Sequence, residues 1–98
     1  MGLDDLVAAL IDEAEDVETL SGREYCRNET AFAAQISDDT IEIRLGQEIA
    51  EAARRTSETH PSSRGEAWVL FRPRAWDAHA ADRLEAWFRV AWRLAGEG

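Results

Sequence analysis

The segment from Thr59 to Leu94 constrains this chain most. A polar stretch beginning Thr59-His60-Pro61 leads through Gly65 into Ala67-Trp68-Val69-Leu70-Phe71, five apolar residues in a row. A run that short, closed by Pro73, reads as a strand, and being apolar at every position it expects cover on both faces or a dimer seam. From Asp77 the period becomes helical. At 100° per residue Ala80, Trp87, Phe88, Ala91 and Ala95 fall within about 60° of Leu84. Trp92 and Leu94 flank that stripe, and Asp82, Arg89 and Arg93 lie opposite. A strand followed by so wide an apolar face is the closing part of a compact α+β domain, with the helix propping a sheet.

Upstream, Leu3, Leu6, Val7, Leu10, Ile11 and Ala14 repeat at i, i+3, i+4, the spacing of an amphipathic helix. Asp4 and Asp5 sit in its first turn, where the helix dipole favours acids. The acids from Asp12 to Glu18 stop it near Ala14 and read as a solvated face, with a turn at Ser21-Gly22. A strand over about Glu24 to Asn28 follows. Phe32, Ala34 and Ile36 then alternate with Ala31, Ala33 and Gln35, and after the turn Ser37-Asp38-Asp39-Thr40 the residues Ile41, Ile43 and Leu45 alternate with Glu42 and Arg44. Two such runs predict an antiparallel hairpin with one buried face. Gln47 to Thr56 reads as a short helix with Ile49, Ala52 and Ala53 inward, and Ser57 to Gly65 as a loop. The expected fold is a single α+β domain over residues 1–98, a mostly antiparallel sheet of about four strands in the order α-β-β-β-α-β-α.

The chain's 98 residues suffice for one modest core. Its longest apolar run is the six residues from Leu6 to Ile11, far short of the ~20 that a membrane-spanning helix needs, and acids follow Met1 where a signal peptide needs positive charge. The expectation is a cytoplasmic protein without membrane contact. A single cysteine, Cys26, excludes an internal disulfide and a cysteine-rich metal site; it reads as a small strand residue. The net charge of −9 is uneven. Residues 1–51 hold 14 acids against 3 arginines, and residues 52–74 hold 5 arginines against 2 acids. Overall acidity opposes nucleic-acid binding, which depends on cations neutralising phosphates. The local basic segment suits a small anion instead.

A set of short motifs spans nearly the whole chain. They are Gly22-Arg23-Glu24, Phe32-Ala33, Ile41-Glu42-Ile43-Arg44-Leu45, Thr59-His60-Pro61, Gly65 to Phe71, and Phe88-Arg89-Val90-Ala91-Trp92. In this set the chain resembles the small uncharacterised luciferase-type domain family, and more widely the YjbR/MmcQ-like α+β proteins. Thr59-His60-Pro61 and the Trp68-Val69 pair carry the resemblance. It implies the fold and no light-emitting chemistry. Two departures stand out. The family pattern places a histidine in the Phe-Ala strand, where this chain has Ala34, Gln35 and Ile36. Glu66 and Ala67 also lengthen the step from the glycine to the Trp-Val pair.

Candidate chemistry centres on His60, with Arg54, Arg55, Arg64 and Arg72 near it in sequence. A histidine there suits a proton shuttle or an anion ligand; it equally suits a loop histidine capping the backbone. Arginines 54, 55, 64, 72 and 74 would grip a carboxylate or phosphate if they converged, and would otherwise pair with the acidic N-terminal half. Trp76 and Trp92 are the tryptophans best placed for a pocket or interface. The ligand-binding set is therefore His60, Arg64, Arg72, Arg55 and Trp76. His79 reads as solvated. Two histidines 19 residues apart make no zinc signature, and Asp38-Asp39 lacks the spacing of a calcium loop, so neither metal nor cofactor is expected. Serines 57, 62 and 63 lack the flanking glycines of a nucleophile elbow. Two readings result: a non-enzymatic binding or protein-interaction module, expected to form a homodimer, and a small enzyme or anionic-ligand binder built on the His60 loop.

Overall fold

Leu3 and Val7 bury one side of the first helix, α1 (Leu3–Glu13), and Ala14 ends it by turning extended at φ −82°, ψ 144°. The computed structural model describes residues 2–20 and 23–97, so the turn read at Ser21-Gly22 lies outside the described residues. Three strands come next: β1 (Glu18–Leu20), β2 (Glu24–Arg27) and β3 (Thr30–Gln35). Asn28 and Glu29 join β2 to β3, both with positive φ, at 52° and 64°. A two-residue connection of that hand matches the twist of an antiparallel pair. The turn at 37–40 closes the predicted hairpin onto β4 (Ile41–Arg44), with the Ile36 amide donating to the Thr40 carbonyl at 2.9 Å.

Gly46, at φ 83°, turns the chain into α2 (Gln47–Ala53). Then come β5 (Thr59–Pro61), β6 (Trp68–Phe71) and α3 (Ala78–Glu97). The six strands form one antiparallel sheet in the order β1-β2-β3-β4-β6-β5. This corrects the expected four strands and the expected order. The two additions are both three-residue edge strands: β1 starts at the last residue of the acidic stretch, and β5 falls within the segment read as a loop. Pro61 fits β5 because an edge strand can spare an amide donor.

All three helices lie on one face of the sheet. Phe88 of α3 meets Phe32 edge-on at 5.3 Å, and Trp87 meets Phe71 at 5.1 Å. Gln35 donates to Asp4 of α1, and the Thr59 hydroxyl donates to the carbonyl of Ala53 in α2 at 2.7 Å. Between the layers lie Ala33, Ile41, Ile43, Val69, Phe71, Leu84 and Phe88, all buried. The helical wheel of α3 holds, with Ala80, Leu84, Phe88, Ala91 and Ala95 buried.

Two face assignments change. Ala50 and Ala53 are the buried residues of α2, while Ile49 is 42% exposed and Ala52 is exposed. In β3 the register shifts beside Tyr25 and Cys26, which pair with Ala33 and Ala31 and leave Phe32 between them without a partner. That extra residue puts Phe32 and Ala33 together on the helix side and sends Ala34 and Ile36 to the other. Simple alternation had grouped Phe32 with Ala34 and Ile36.

Arg27 extends from β2 under the end of α3. Its guanidinium lies 3.7 Å from the Trp92 ring centroid and donates to the Trp92 carbonyl at 3.0 Å. A Cβ on Gly96 would come within 2.2 Å of it, so the glycine leaves room for a cation at the helix C-terminus. Among the described residues no helix is long and apolar enough to cross a membrane.

Candidate functional site

The pleat sends every second side chain away from the helices. The register aligns Leu20, Glu24, Ala34, Glu42, Leu70 and His60 in one row across the sheet, and Arg44 beside Trp68 in the next. Among the described residues no helix covers this face. Leu20 is 46% exposed, and Ile36, two residues on from Ala34, is 54% exposed. Yet Glu42, at the centre of the row, is only 3% exposed.

The β5–β6 connection covers it. Arg64 reaches down from this loop and places its Nε 3.0 Å from Glu42 Oε1 and its Nη1 3.0 Å from Glu24 Oε2. Glu24 and Glu42 stand on strands either side of β3, and the residue between them is Ala34, whose methyl group leaves the guanidinium room to span both. The guanidinium carbon lies 5.1 Å from the Trp68 ring centroid. The Ser62 hydroxyl donates to the other oxygen of Glu42 and accepts from the Arg64 amide at 3.1 Å. Burial by itself would lower the Arg64 pKa, but hydrogen bonds to Glu42 and Glu24 outweigh it and raise the value. Carboxylates on two edges of a planar guanidinium, with an aromatic face below, use the features that set arginine apart from lysine.

The five predicted site residues do not gather. His60 and Arg64 belong to this open face, with His60 exposed and opposite Leu70 in the register. Arg72 is exposed just beyond β6. Its charge helps to lower the pKa of Asp39, after the larger effects of hydrogen bonds from Ser37 and Thr40. Arg55 points outward from the end of α2 and pairs with Glu51 at 3.6 Å. Trp76 lies on the helix side, edge-on to Phe71 at 5.4 Å. Arg54 is occupied by the carbonyls of Glu66 and Trp68.

The sequence reading missed Glu24 and Glu42. Alternation with Ile41 and Ile43 correctly turns Glu42 away from the core. Nothing in that pattern tells that a loop 22 residues later returns to bury it.

Among the described residues no catalytic set stands out. Ser62 bonds to a carboxylate, and among the described residues no histidine nitrogen bonds to it. Nor does any group of three or more His, Cys, Asp or Glu among the described residues gather as metal ligands. On the helix side a groove of about 330 Å³ runs between α1 and α3, lined by Leu10, Glu13, Phe88, Arg89, Trp92 and Arg93 among others. Neither a scan against protein-family models nor searches of curated proteins and of solved structures returned a match to this chain. The resemblance to luciferase-type domains rests on the residues that carry it.

Proposed function

We propose that this chain is a non-enzymatic protein-interaction module that binds through the helix-free face of its sheet. One observation carries the reading: three helices crowd one face, while the other is covered only by a polar loop and leaves Leu20 and Ile36 exposed. Exposed aliphatic side chains on a rigid sheet, bordered by charged residues, have the composition of a binding surface. A homodimer is the narrower form of the proposal. The anionic-ligand reading has less behind it, because Arg64 is neutralised by two carboxylates, Arg55 pairs with Glu51, and Trp76 packs on the far side of the sheet.

A photo-crosslinking residue at Ile36, compared with one at the exposed Glu85 of α3, tests the proposal in cell extract and with the pure protein. The expected result is a discrete adduct from position 36 and none from position 85. An adduct of twice 11.0 kDa would identify the homodimer. Equal labelling from both positions, or none from either, would contradict the proposal.

A further inference from the structure

We infer that Glu24, Glu42 and Trp68 form a recognition site for an arginine side chain of a cationic protein partner, and that Arg64 fills this site in the free protein. The inference rests on the interaction-module reading and names the partner's chemistry.

Three observations carry it. First, the site already holds a guanidinium, with one carboxylate on Nε, a second on Nη1 and an indole face beneath. Second, the loop that delivers it has no apolar anchor at its tip. Residues 62–66 read Ser-Ser-Arg-Gly-Glu, of which only Ser62 is even half-buried. Gly65 follows Arg64 at φ 133°, a conformation that glycine takes freely. The ion pair is also within reach of solvent, the Arg64 and Glu24 side chains being 35% and 29% exposed. Third, the Glu42 side chain is 4% exposed. Departure of Arg64 strips this carboxylate of its cation and uncovers it, leaving a place that a second guanidinium can take.

The exchange selects a partner. A lysine ammonium cannot bridge the two carboxylates and stack on Trp68 at the same time. The net charge of −9 draws cationic partners toward the chain and repels acidic ones. An incoming arginine inherits the bonds of Arg64, while Arg54 and Gln47 keep the loop tied at Glu66.

The test vacates the site and offers it small cations. Arg64→Ala should melt below the unmodified protein. About 20 mM ethylguanidinium should raise its melting temperature by about 5 °C, while the same concentration of ethylammonium should leave it unmoved. Arg64→Ala combined with Glu42→Gln should lose that response. If Arg64→Ala does not fold alone, recovery of its circular dichroism on refolding with ethylguanidinium, and not with ethylammonium, supports the site; failure to recover overturns it. In the unmodified protein, acetyl-Gly-Arg-Gly-amide should shift the Ala34 and Glu42 amide resonances and the lysine peptide should not. Equal shifts from both peptides, or none, would overturn the exchange. An Ile36 crosslink without guanidinium rescue would retain the interaction face and discard the arginine site. Rescue without a crosslink would retain the site and discard the wider reading.

Discussion

Arg64 and Glu42 are 22 residues apart in sequence, yet the Arg64 Nε stands 3.0 Å from a Glu42 oxygen at the centre of the sheet's open face. This one contact explains how a central strand tolerates a carboxylate with 3% exposure. It also explains how a polar loop without apolar anchors comes to lie on a sheet. The surface proposed for binding is organised around it.

The turn between β2 and β3 is strained in a way that one substitution relieves. Asn28 and Glu29 both adopt positive φ. Asparagine tolerates that region, whereas glutamate pays roughly 1 kcal/mol or more there. Glu29→Gly restores the Asn-Gly pair that such hairpins prefer. It should stabilise the protein by about 0.5 kcal/mol after the entropy of the added glycine is counted. Urea denaturation measures this, and a lowered midpoint would contradict the assignment of the turn.

Cys26 should be an inert thiol. Burial pushes its pKa above the ordinary value, and the carboxylates of Glu24 and Glu18 add to the push. At pH 8 a thiol reagent should label the native protein more slowly than the urea-unfolded chain, since the thiolate is the reacting form and burial limits access to it. The sign of the linkage follows. The native state favours the protonated thiol, so its contribution to stability is intact below the unfolded-chain pKa. It is lost as pH rises above about 9 through the raised native value. Cys26→Ala should flatten that part of the alkaline stability profile. Fast labelling of the native protein would show that β2 is less well covered than described.

Much of the fold was legible in the sequence, for a physical reason. Where one side of an element faces the core, periodicity records it: Leu84, Phe88, Ala91 and Ala95 marked the buried stripe of α3, and Ile41 and Ile43 the buried face of β4. Periodicity fails where the backbone departs from its period. The register shift at Phe32 added one residue to β3 and moved Ala34 and Ile36 to the open face. The edge strands β1 and β5 are three residues each, too short for any period to show, and β5 contains a proline. The candidate site was less legible still. His60, Arg64 and the basic segment drew attention to the β5–β6 connection, with anion binding and pairing with the acidic N-terminal half as the two readings. The partners of Arg64 proved to be the chain's own Glu24 and Glu42, brought in by pairings 40 and 22 residues long. Composition offered the acidic N-terminal half as a partner, but topology decides which of its acids meet Arg64, and no local pattern singles them out.

The most direct test of this account is a double-mutant cycle on Arg64 and Glu42, read from urea denaturation of the unmodified protein, Arg64→Ala, Glu42→Gln and the combination. Losing Arg64 removes the cation that covers Glu42, so Arg64→Ala should cost about 2–3 kcal/mol, below the roughly 3–5 kcal/mol of a fully buried pair because the arginine is partly exposed. In the Glu42→Gln background the same change should cost under about 1 kcal/mol, leaving a coupling of at least about 1 kcal/mol. If Arg64→Ala costs the same in both backgrounds, the bridge does not organise the open face, and both the covered carboxylate and the arginine site built on it fall.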